Sequence, residues 1–265
     1  MNDILSIVVT YVNLKDFCAL QSVSNDLLNL RCYSYIHKKT NKSFLLKHSS
    51  SLQIINIVES NNIDDDFLSN FKNVRYLSLF DNKIITDQGL KHLRNIHTLK
   101  LLRNHNITDE GLKNLTNIKV LYLDGRSVTN NGLEHLLNVK ELYLENNTII
   151  TNEGLKHLRY LDILLLPNNK CITDDGLQYL NNIKSLSLEE CNITDDGLKY
   201  LPKIERISVR CNDKITNEGL KYIPNVTYLS LPRNKNITIE GLKYLTKIKL
   251  NSDSINLGWN NKYWL

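Results

Sequence analysis

The chain has 265 residues, of which 42% are hydrophobic, and its 33 basic and 28 acidic residues leave a net charge of +5. That hydrophobic content is sufficient for a buried core. Because both signs of charge are mixed along the chain, the composition argues against a nucleic-acid binder, in which positive charge is usually concentrated.

The cysteines and the N-terminus indicate a cellular compartment. The five cysteines are odd in number and include no C-x-x-C pair, which argues against a zinc knuckle or a disulfide framework and favours a reducing environment. The apolar run from Ile4 to Val12 is short and has no basic leader, so it predicts neither a signal peptide nor a membrane span. These features predict an intracellular, most simply cytoplasmic, protein that does not bind membranes.

Residues 1–48 contain no repeat. Apolar side chains recur there at spacings of three and four, as in Phe17, Leu20 and Val23, which predicts two or three short helices. The polar run Ser49 to Ser51 follows and marks a boundary. We therefore predict a small helical segment in residues 1–48 and a second unit in residues 49–265.

The second unit is a repeat with a period of 21 or 22 residues. Each period contains an Ile-Thr-Asp-x-Gly-Leu segment, with small changes, and a nine-residue frame with apolar residues at positions one, four and six, such as Val74 to Asn82. The repeated threonines are Thr86, Thr108, Thr129, Thr151, Thr173, Thr194, Thr216 and Thr238. So regular a period indicates a solenoid.

The two halves of each repeat predict different structures. Leu77 and Leu79 alternate with polar residues, which predicts a short strand with two side chains in the core. Parallel strands need a crossover, and Thr at its start is a good helix N-cap. The fold class is therefore α/β: about nine repeats, with parallel strands on a concave face, short helices on a convex face, and a degenerate C-terminal cap that contains Trp259 and Trp264.

Two repeated residues require a physical reason. The glycine of each crossover, such as Gly154, is unfavourable in a helix, so either adjacent segments pack too closely for a side chain or the backbone angle requires glycine. The asparagine at position nine, such as Asn147, can donate and accept hydrogen bonds in the tight turn after the strand. Arg126 and Cys191 replace this asparagine in the two shorter repeats.

The L-x-x-L-x-L-x-x-N frame, repeated nine times in register from Leu52, resembles that of the leucine-rich-repeat family over about four fifths of the chain. The resemblance implies a protein that binds partners through its solenoid surface.

Three sets of residues invite a chemical interpretation, and each has a simpler one. Cys171, Cys191 and Cys211 lie at different places in their repeats, so structural roles are favoured over a metal site. On the convex face, one column contains His and Tyr residues and another contains Lys residues. Packing and solvation explain both columns best. No catalytic triad, phosphate loop or metalloprotease motif occurs, so we predict no enzyme activity, no cofactor and no metal site.

The outward strand positions form the concave face and vary from repeat to repeat. Solenoids use such surfaces for partners, and Tyr and Arg are frequent at binding hot spots. The simpler explanation is that strands favour aromatic residues. The predicted partner-binding residues are Tyr76, Phe80, Lys100, Tyr122, Tyr143, Ile163, Leu165, Arg206, Arg210 and Tyr228.

The N-terminal residues resemble a degenerate F-box, through Ile4-Leu5, Tyr11-Val12, the run from Lys15 to Leu20, and Val23-Ser24. The Leu-Pro-x-Glu opening of that motif is absent. The resemblance implies binding to a Skp-type adaptor through Ile4, Leu5, Phe17, Leu20 and Val23. The alternative is a plain helical cap that shields the first repeat.

Together the two resemblances imply an F-box/leucine-rich-repeat protein, the substrate-recognition subunit of a cullin-type ubiquitin ligase. In that hypothesis the concave face holds a target protein and the N-terminal helices bind the adaptor. The alternative is a stand-alone binding scaffold with no role in ubiquitin transfer.

Overall fold

We describe the protein from a computed structural model. It describes residues 34–39, 42–167, 169–189, 191–210, 212–231, 233–248 and 255–256. Within these, only the backbone is described for residues 34–39, 58–59, 189, 210 and 255–256. The predicted adaptor-binding residues and the C-terminal tryptophans lie outside this part of the chain.

Eleven strands in the described residues form one sheet, and their order in the sheet is their order in the sequence. They are β1 (Ser34–Lys39), β2 (Ile54–Glu59), β3 (Tyr76–Leu79), β4 (Thr98–Leu101), β5 (Val120–Asp124), β6 (Glu141–Glu145), β7 (Ile163–Leu166), β8 (Ser185–Glu189), β9 (Arg206–Arg210), β10 (Tyr228–Ser230) and β11 (Ile255–Asn256). Every neighbouring pair is parallel, and the register keeps inward leucines level, so that Leu99 pairs with both Leu77 and Leu121. This arrangement confirms the predicted parallel solenoid.

The core is one continuous column of aliphatic side chains from Leu45 to Leu245. Each repeat contributes the two inward strand residues, such as Leu121 and Leu123, and leucines from its crossover. These side chains are at most a few per cent exposed. Burial of a leucine stabilises by about 1.5–3 kcal/mol, so the aliphatic frame accounts for the fold.

Each crossover contains one short helical turn. The helices are Lys42–Lys47, Asp65–Leu68, Asp87–Leu90, Asp109–Leu112, Asn130–Leu133, Asn152–Leu155, Asp174–Leu177, Asp195–Leu198 and Ile239–Leu242, and Gly219–Tyr222 is a 3-10 turn. Thr86 is an N-cap whose hydroxyl accepts from the backbone N–H of Gln88 at 3.2 Å, and several repeats share this bond. Helices long and apolar enough to cross a membrane do not occur in the described residues.

Where the first helical residue of a turn is Asp or Asn, it ties its repeat to the next one. The Asp87 carboxylate accepts from the backbone N–H of Thr108 at 2.9 Å and from the Thr108 hydroxyl at 2.7 Å. This bond was not predicted from the sequence, because the threonine was assigned only to the start of its own helix. The threonine therefore joins two repeats. Its hydroxyl also caps its own helix by accepting from the backbone N–H of Glu110 at 3.3 Å.

The identity of that first residue decides whether the threonine caps its own helix. Where it is Asp, the threonine hydroxyl donates to the carboxylate and its lone pair accepts from the helix N–H, as for Thr86 and Thr194. Where it is Asn, the amide nitrogen donates to the hydroxyl instead, as from Asn130 to Thr151 at 2.9 Å. The cap bond is then absent, as it is at Thr151 and Thr173. A carboxylate can only accept, whereas an amide also donates, so the hydroxyl serves a different partner in each case.

Asn130→Asp is therefore expected to stabilise the protein, by about 0.5–1 kcal/mol, because it frees the Thr151 hydroxyl to cap its helix. The measurement is the midpoint of urea unfolding followed by circular dichroism. In a Thr151→Val background, which has no hydroxyl, at least half of the gain should disappear. A gain of the same size in both backgrounds would assign the effect to the helix dipole rather than to the cap.

The buried asparagines at position nine form a second ladder between repeats. The Asn82 amide nitrogen donates to the carbonyls of Ser60 and Ile63, both at 2.8 Å, and its oxygen accepts from Ile84 and Ile85. The predicted role in satisfying the turn is confirmed, and the donated bonds reach back to the preceding repeat as well. In the two shorter repeats, the replacement Arg126 is exposed and Cys191 is buried.

The start of the sheet differs from expectation. Ser34–Lys39, within the segment predicted to be helical, is a strand that pairs in parallel with β2, and only Lys42–Lys47 after it is helical. Tyr35 and Ile36 are of residue types that favour strands, which agrees with the observed structure. At the other end of the sheet, Ile255–Asn256 pairs in parallel with β10. The division of the chain at residue 48 remains a prediction.

Candidate partner-binding face

The sheet register arranges the outward side chains of the concave face in two rows. Row one contains Tyr76, Thr98, Val120, Glu141, Ile163, Ser185, Arg206 and Tyr228. Row two contains Ser78, Lys100, Tyr122, Tyr143, Leu165, Ser187, Ser208 and Ser230. Each row places one side chain per repeat, so its chemistry can vary along the solenoid without any change in the core.

Row two holds a cation and two aromatic rings in direct contact. The rings of Tyr122 and Tyr143 are stacked, with centroids 3.7 Å apart and planes 7° from parallel. The Lys100 ammonium lies 4.3 Å from the centroid of Tyr122 and 5.9 Å from that of Tyr76. Contacts of this kind contribute about 0.5–1.5 kcal/mol for the aromatic pair, and they hold the side chains in place before any partner arrives.

A row-one residue, Glu141, also contacts the Tyr143 side chain. Its hydroxyl donates to the Glu141 carboxylate at 3.1 Å. Burial of the ring, followed by the hydroxyl of Tyr122 and the charge of Glu141, raises the pKa of Tyr143 above its ordinary value. The phenol is therefore neutral at physiological pH and remains a hydrogen-bond donor.

Apolar side chains extend this aromatic centre in both directions. Leu165 pairs with Tyr143 across the strands, and Ile163 pairs with Glu141. On the other side Phe80 is 38% exposed, and the Arg103 guanidinium lies 5.1 Å from its ring centroid. The structure thus brings together the predicted residues on β3 to β7 and in the turn after β3. We call them the central cluster: Tyr76, Phe80, Lys100, Tyr122, Tyr143, Ile163 and Leu165.

The predicted residues near the C-terminus form a separate pair. The Arg206 guanidinium lies 4.5 Å from the ring centroid of Tyr228, on adjacent strands. Ser185 and Ser187 on β8 separate this pair from the central cluster. Arg210 is the last residue of β9, and the position of its side chain is outside the description.

Two residues at or after the ends of strands have roles that were not predicted from the sequence. Arg103 lies in the left-handed region, with φ of 61°, and falls outside the alternating strand pattern. Asp124, an outward strand position, is only 4% exposed, because its carboxylate accepts from His105 at 3.0 Å, Arg126 at 3.3 Å and Asn146 at 3.1 Å. Asp124 therefore joins three successive turns rather than facing a partner.

The convex lysines contact neighbours within the protein. Lys113 lies 2.5 Å from Glu110 one helical turn earlier, and the hydrogen bond with this carboxylate raises the pKa of Lys113. Lys156, Lys199 and Lys221 form the same kind of ion pair. They also lie over tyrosine rings of the following repeat, as Lys199 does over Tyr222 at 5.1 Å. These contacts agree with the interpretation of the column as packing and solvation.

The cysteines in the described residues have structural surroundings. Cys191 is buried and accepts a weak hydrogen bond from the Asn212 amide at 3.8 Å, and burial raises the pKa of its thiol. Cys171 is exposed and its thiol lies 3.5 Å from the Thr148 carbonyl. Across the same part of the chain, no three His, Cys, Asp or Glu side chains come close enough together to hold a metal ion.

Comparison with known proteins identifies the class of fold. A sequence model of the leucine-rich repeat matches residues 72–93, 92–115, 135–158, 179–201 and 200–223. The parallel strands, short helices and matched repeats define a leucine-rich-repeat solenoid, the class of fold that the sequence analysis predicted. Repeats of this family indicate a protein-interaction scaffold, and no catalytic family is indicated. Curated protein sequences give no significant match.

Solved structures with the same fold include an internalin, an RNA complex and a complex of two proteins. Internalin C2 from Listeria monocytogenes str. 4b F2365 is 27% identical over 70% of this chain and 82% of its own, with a TM-score of 0.55. In the TLR13–ssRNA13 complex, the matching chain is 20% identical to this one over 77% of this chain, with a TM-score of 0.60. The match spans 33% of that chain. The yeast complex of Rad7 and Elc1 is 18% identical over 84% of this chain and 69% of the other, with a TM-score of 0.61.

Proposed function

We propose that this protein is a non-catalytic interaction module that holds a target protein on its concave face, centred on the central cluster. The observation that carries this proposal is the stack of Tyr122 on Tyr143 with Lys100 above it and Leu165 beside it. Aromatic anchors with a neighbouring cation are typical of binding hot spots. Because these side chains are already in contact with one another, a partner meets them with little further loss of conformational entropy.

The simpler explanation, that strands favour aromatic residues, applies less well to this cluster. A preference for aromatic residues in strands would place them at outward positions throughout the sheet. Row two instead holds aromatic and apolar residues from β5 to β7 and serines on β8, β9 and β10. The concentration of large, half-buried side chains in one part of the face supports a specific contact.

The combined substitutions Tyr122→Ala, Tyr143→Ala and Leu165→Ala are expected to weaken capture of the target at least tenfold, since hot-spot truncations cost about 2 kcal/mol or more each. The measurement is the recovery of partners by proximity labelling in the native cell, followed by affinity of the purified pair. The matched control replaces three convex tyrosines, Tyr179, Tyr200 and Tyr222, with alanine. Capture by the folded concave variant at the wild-type level would contradict the proposal.

We further propose that the protein is the substrate-recognition subunit of a cullin-type ubiquitin ligase and acts inside the cell. This proposal rests on the F-box resemblance of residues 1–48. It is supported by Rad7, a protein of the same fold that was solved in complex with a second protein, Elc1. In this arrangement the N-terminal segment binds a Skp-type adaptor while the concave face holds the target.

Capture of a purified Skp-type adaptor tests the ubiquitin ligase proposal. The folded wild-type protein should bind the adaptor, and Phe17→Asp with Leu20→Asp should abolish binding, because charges at apolar contacts are costly to bury. The concave variant serves as the control and should bind the adaptor normally. Failure of the folded wild-type protein to bind would leave the stand-alone scaffold, with residues 1–48 as a cap for the first repeat.

A further inference from the structure

The side of the solenoid at which the chain enters each strand carries a row of positive charge. We call this side the lateral edge and define it by the segments 50–53, 72–75, 94–97, 116–119, 137–140, 159–162, 181–184, 202–205, 224–227 and 246–247. Its basic residues are Lys72, Arg75, Arg94, Lys119, Lys140, Arg159, Lys184, Lys203 and Lys247, all of them exposed. Its acidic residues are Asp162 and Glu205. From residue 50 to residue 140 the edge has no acidic residue at all.

The cations of this edge differ from the convex lysines in their partners. Convex lysines such as Lys156 form ion pairs with an acid one turn earlier. On the lateral edge, Lys140 and Lys184 share Asp162, at 3.8 and 3.4 Å. Within the described residues, the basic side chains of segments 72–75, 94–97 and 116–119 form no ion pair with a carboxylate. Basic and acidic residues are evenly mixed in the sequence. In the fold, the convex lysines named above lie beside acidic residues, whereas the basic side chains of these three edge segments do not.

Amide side chains hold the same part of the edge in place. Asn73, Asn95 and Asn117 each donate to a carbonyl of the preceding repeat, at 2.8, 3.2 and 3.0 Å. Each amide keeps its oxygen and one N–H for other partners. A polar cavity of about 590 Å³ opens between these segments, lined by Ser50, Ser51, Gln53, Asn73, Arg75, Asn95 and His97.

The side-chain types on the edge indicate the class of partner. Protein interfaces depend on aromatic or apolar anchors, and single-stranded nucleic acids are bound by aromatic rings that stack on bases. Between residues 50 and 140 the edge segments expose one aromatic ring, the imidazole of His97, and one large aliphatic side chain, that of Leu137. Arg, Lys, Asn and Gln are the side chains that contact phosphates and sugars of a duplex.

We propose that the lateral edge, from Lys72 to Lys140, binds the phosphate backbone of a nucleic-acid duplex without reading its sequence. Neighbouring strands are about 4.8 Å apart, so Arg75, His97, Lys119 and Lys140 span about 14 Å in a row. A DNA duplex presents one negative charge for each 1.7 Å or so of its axis, which is dense enough to meet every cation of this row. The even mixing of charge in the sequence, which argued against nucleic acid, does not persist on this edge.

Fluorescence anisotropy of the full chain with a labelled DNA duplex of about 20 base pairs tests the proposal. Neutralising about five phosphates predicts that the logarithm of the binding constant falls with the logarithm of salt concentration with a slope near −4.5. The edge variant replaces Lys72, Arg75, Arg94 and Lys119 with glutamine. The control variant replaces Lys113, Lys156, Lys199 and Lys221 with glutamine, so the two variants have the same net charge.

The expected result is that the edge variant binds the duplex at least tenfold more weakly than wild type, with a shallower salt slope, while the control variant loses less than threefold. A duplex of scrambled sequence should bind equally well. Equal losses in the two variants, or no salt-dependent binding by the wild type, would overturn the proposal. So would tighter binding of the matching single strand, or equally effective competition by a polyglutamate peptide at the same charge concentration, since the latter result indicates an acidic protein partner.

Discussion

Asn147→Ala is expected to lower the free energy of unfolding by about 3 kcal/mol or more, because it leaves several buried backbone groups without partners. The Asn147 amide donates to the carbonyls of Gly125 and Val128, at 2.7 and 2.8 Å. Its oxygen accepts from the backbone N–H groups of Ile149 and Ile150, at 3.2 and 2.9 Å. The side chain is completely buried, and each unsatisfied buried group costs about 1–3 kcal/mol.

Asn138→Ala is the matched control, since it removes an asparagine from the same repeat. Its amide makes a single exposed bond, to the Thr116 carbonyl at 3.3 Å, which water can replace. Urea unfolding of both variants, followed by circular dichroism, should show a large shift of the midpoint for Asn147 and a shift below about 1 kcal/mol for Asn138. Because repeat proteins can unfold in segments, the midpoints are compared together with the steepness of the transition. Similar shifts for the two variants would show that the buried ladder contributes no more than a surface contact.

The repeat frame was predictable because each role is decided within one period. Leu77 and Leu79 face the core because they alternate along a short strand, and Asn82 is buried because the turn after the strand needs an amide there. The sequence also placed Tyr122 and Tyr143 on the same face. The stacking of the two rings depends on the strand register. It was not predictable from the sequence, because the two repeats differ in length at the turn after β5.

Bonds between repeats were not predictable in the same way. The Asp87–Thr108 bond joins residues 21 apart, and each has a sufficient local explanation, one as an acid at a helix start and the other as a cap. The strand at Ser34–Lys39 was missed because it carries no part of the repeat frame. The free charge of the lateral edge was hidden for a third reason: net composition does not say which cations have acids beside them.

Gly154→Val is expected to destabilise the protein by about 2–3 kcal/mol, as overpacking of a close contact does. A Cβ atom at this position would lie 2.6 Å from the Asn130 amide oxygen and 3.0 Å from a methyl group of Leu133, both in the preceding repeat. The backbone angle does not require glycine there, since its φ is outside the left-handed region. Of the two explanations for the repeated glycine, close packing between repeats is therefore confirmed.

Lys156→Val is the control for Gly154→Val, because it places the same β-branched side chain two residues later, where it meets solvent. Its effect on the melting temperature should be much smaller. A double-mutant cycle isolates the contact itself: Gly154→Ala should cost about 1 kcal/mol less in an Asn130→Ala background, where the opposing oxygen is gone. Strict additivity of the two alanine substitutions would show that the glycine does not respond to the Asn130 side chain. The cost would then arise from the Leu133 methyl group, and Leu133→Val, which shortens that side chain, would relieve it instead.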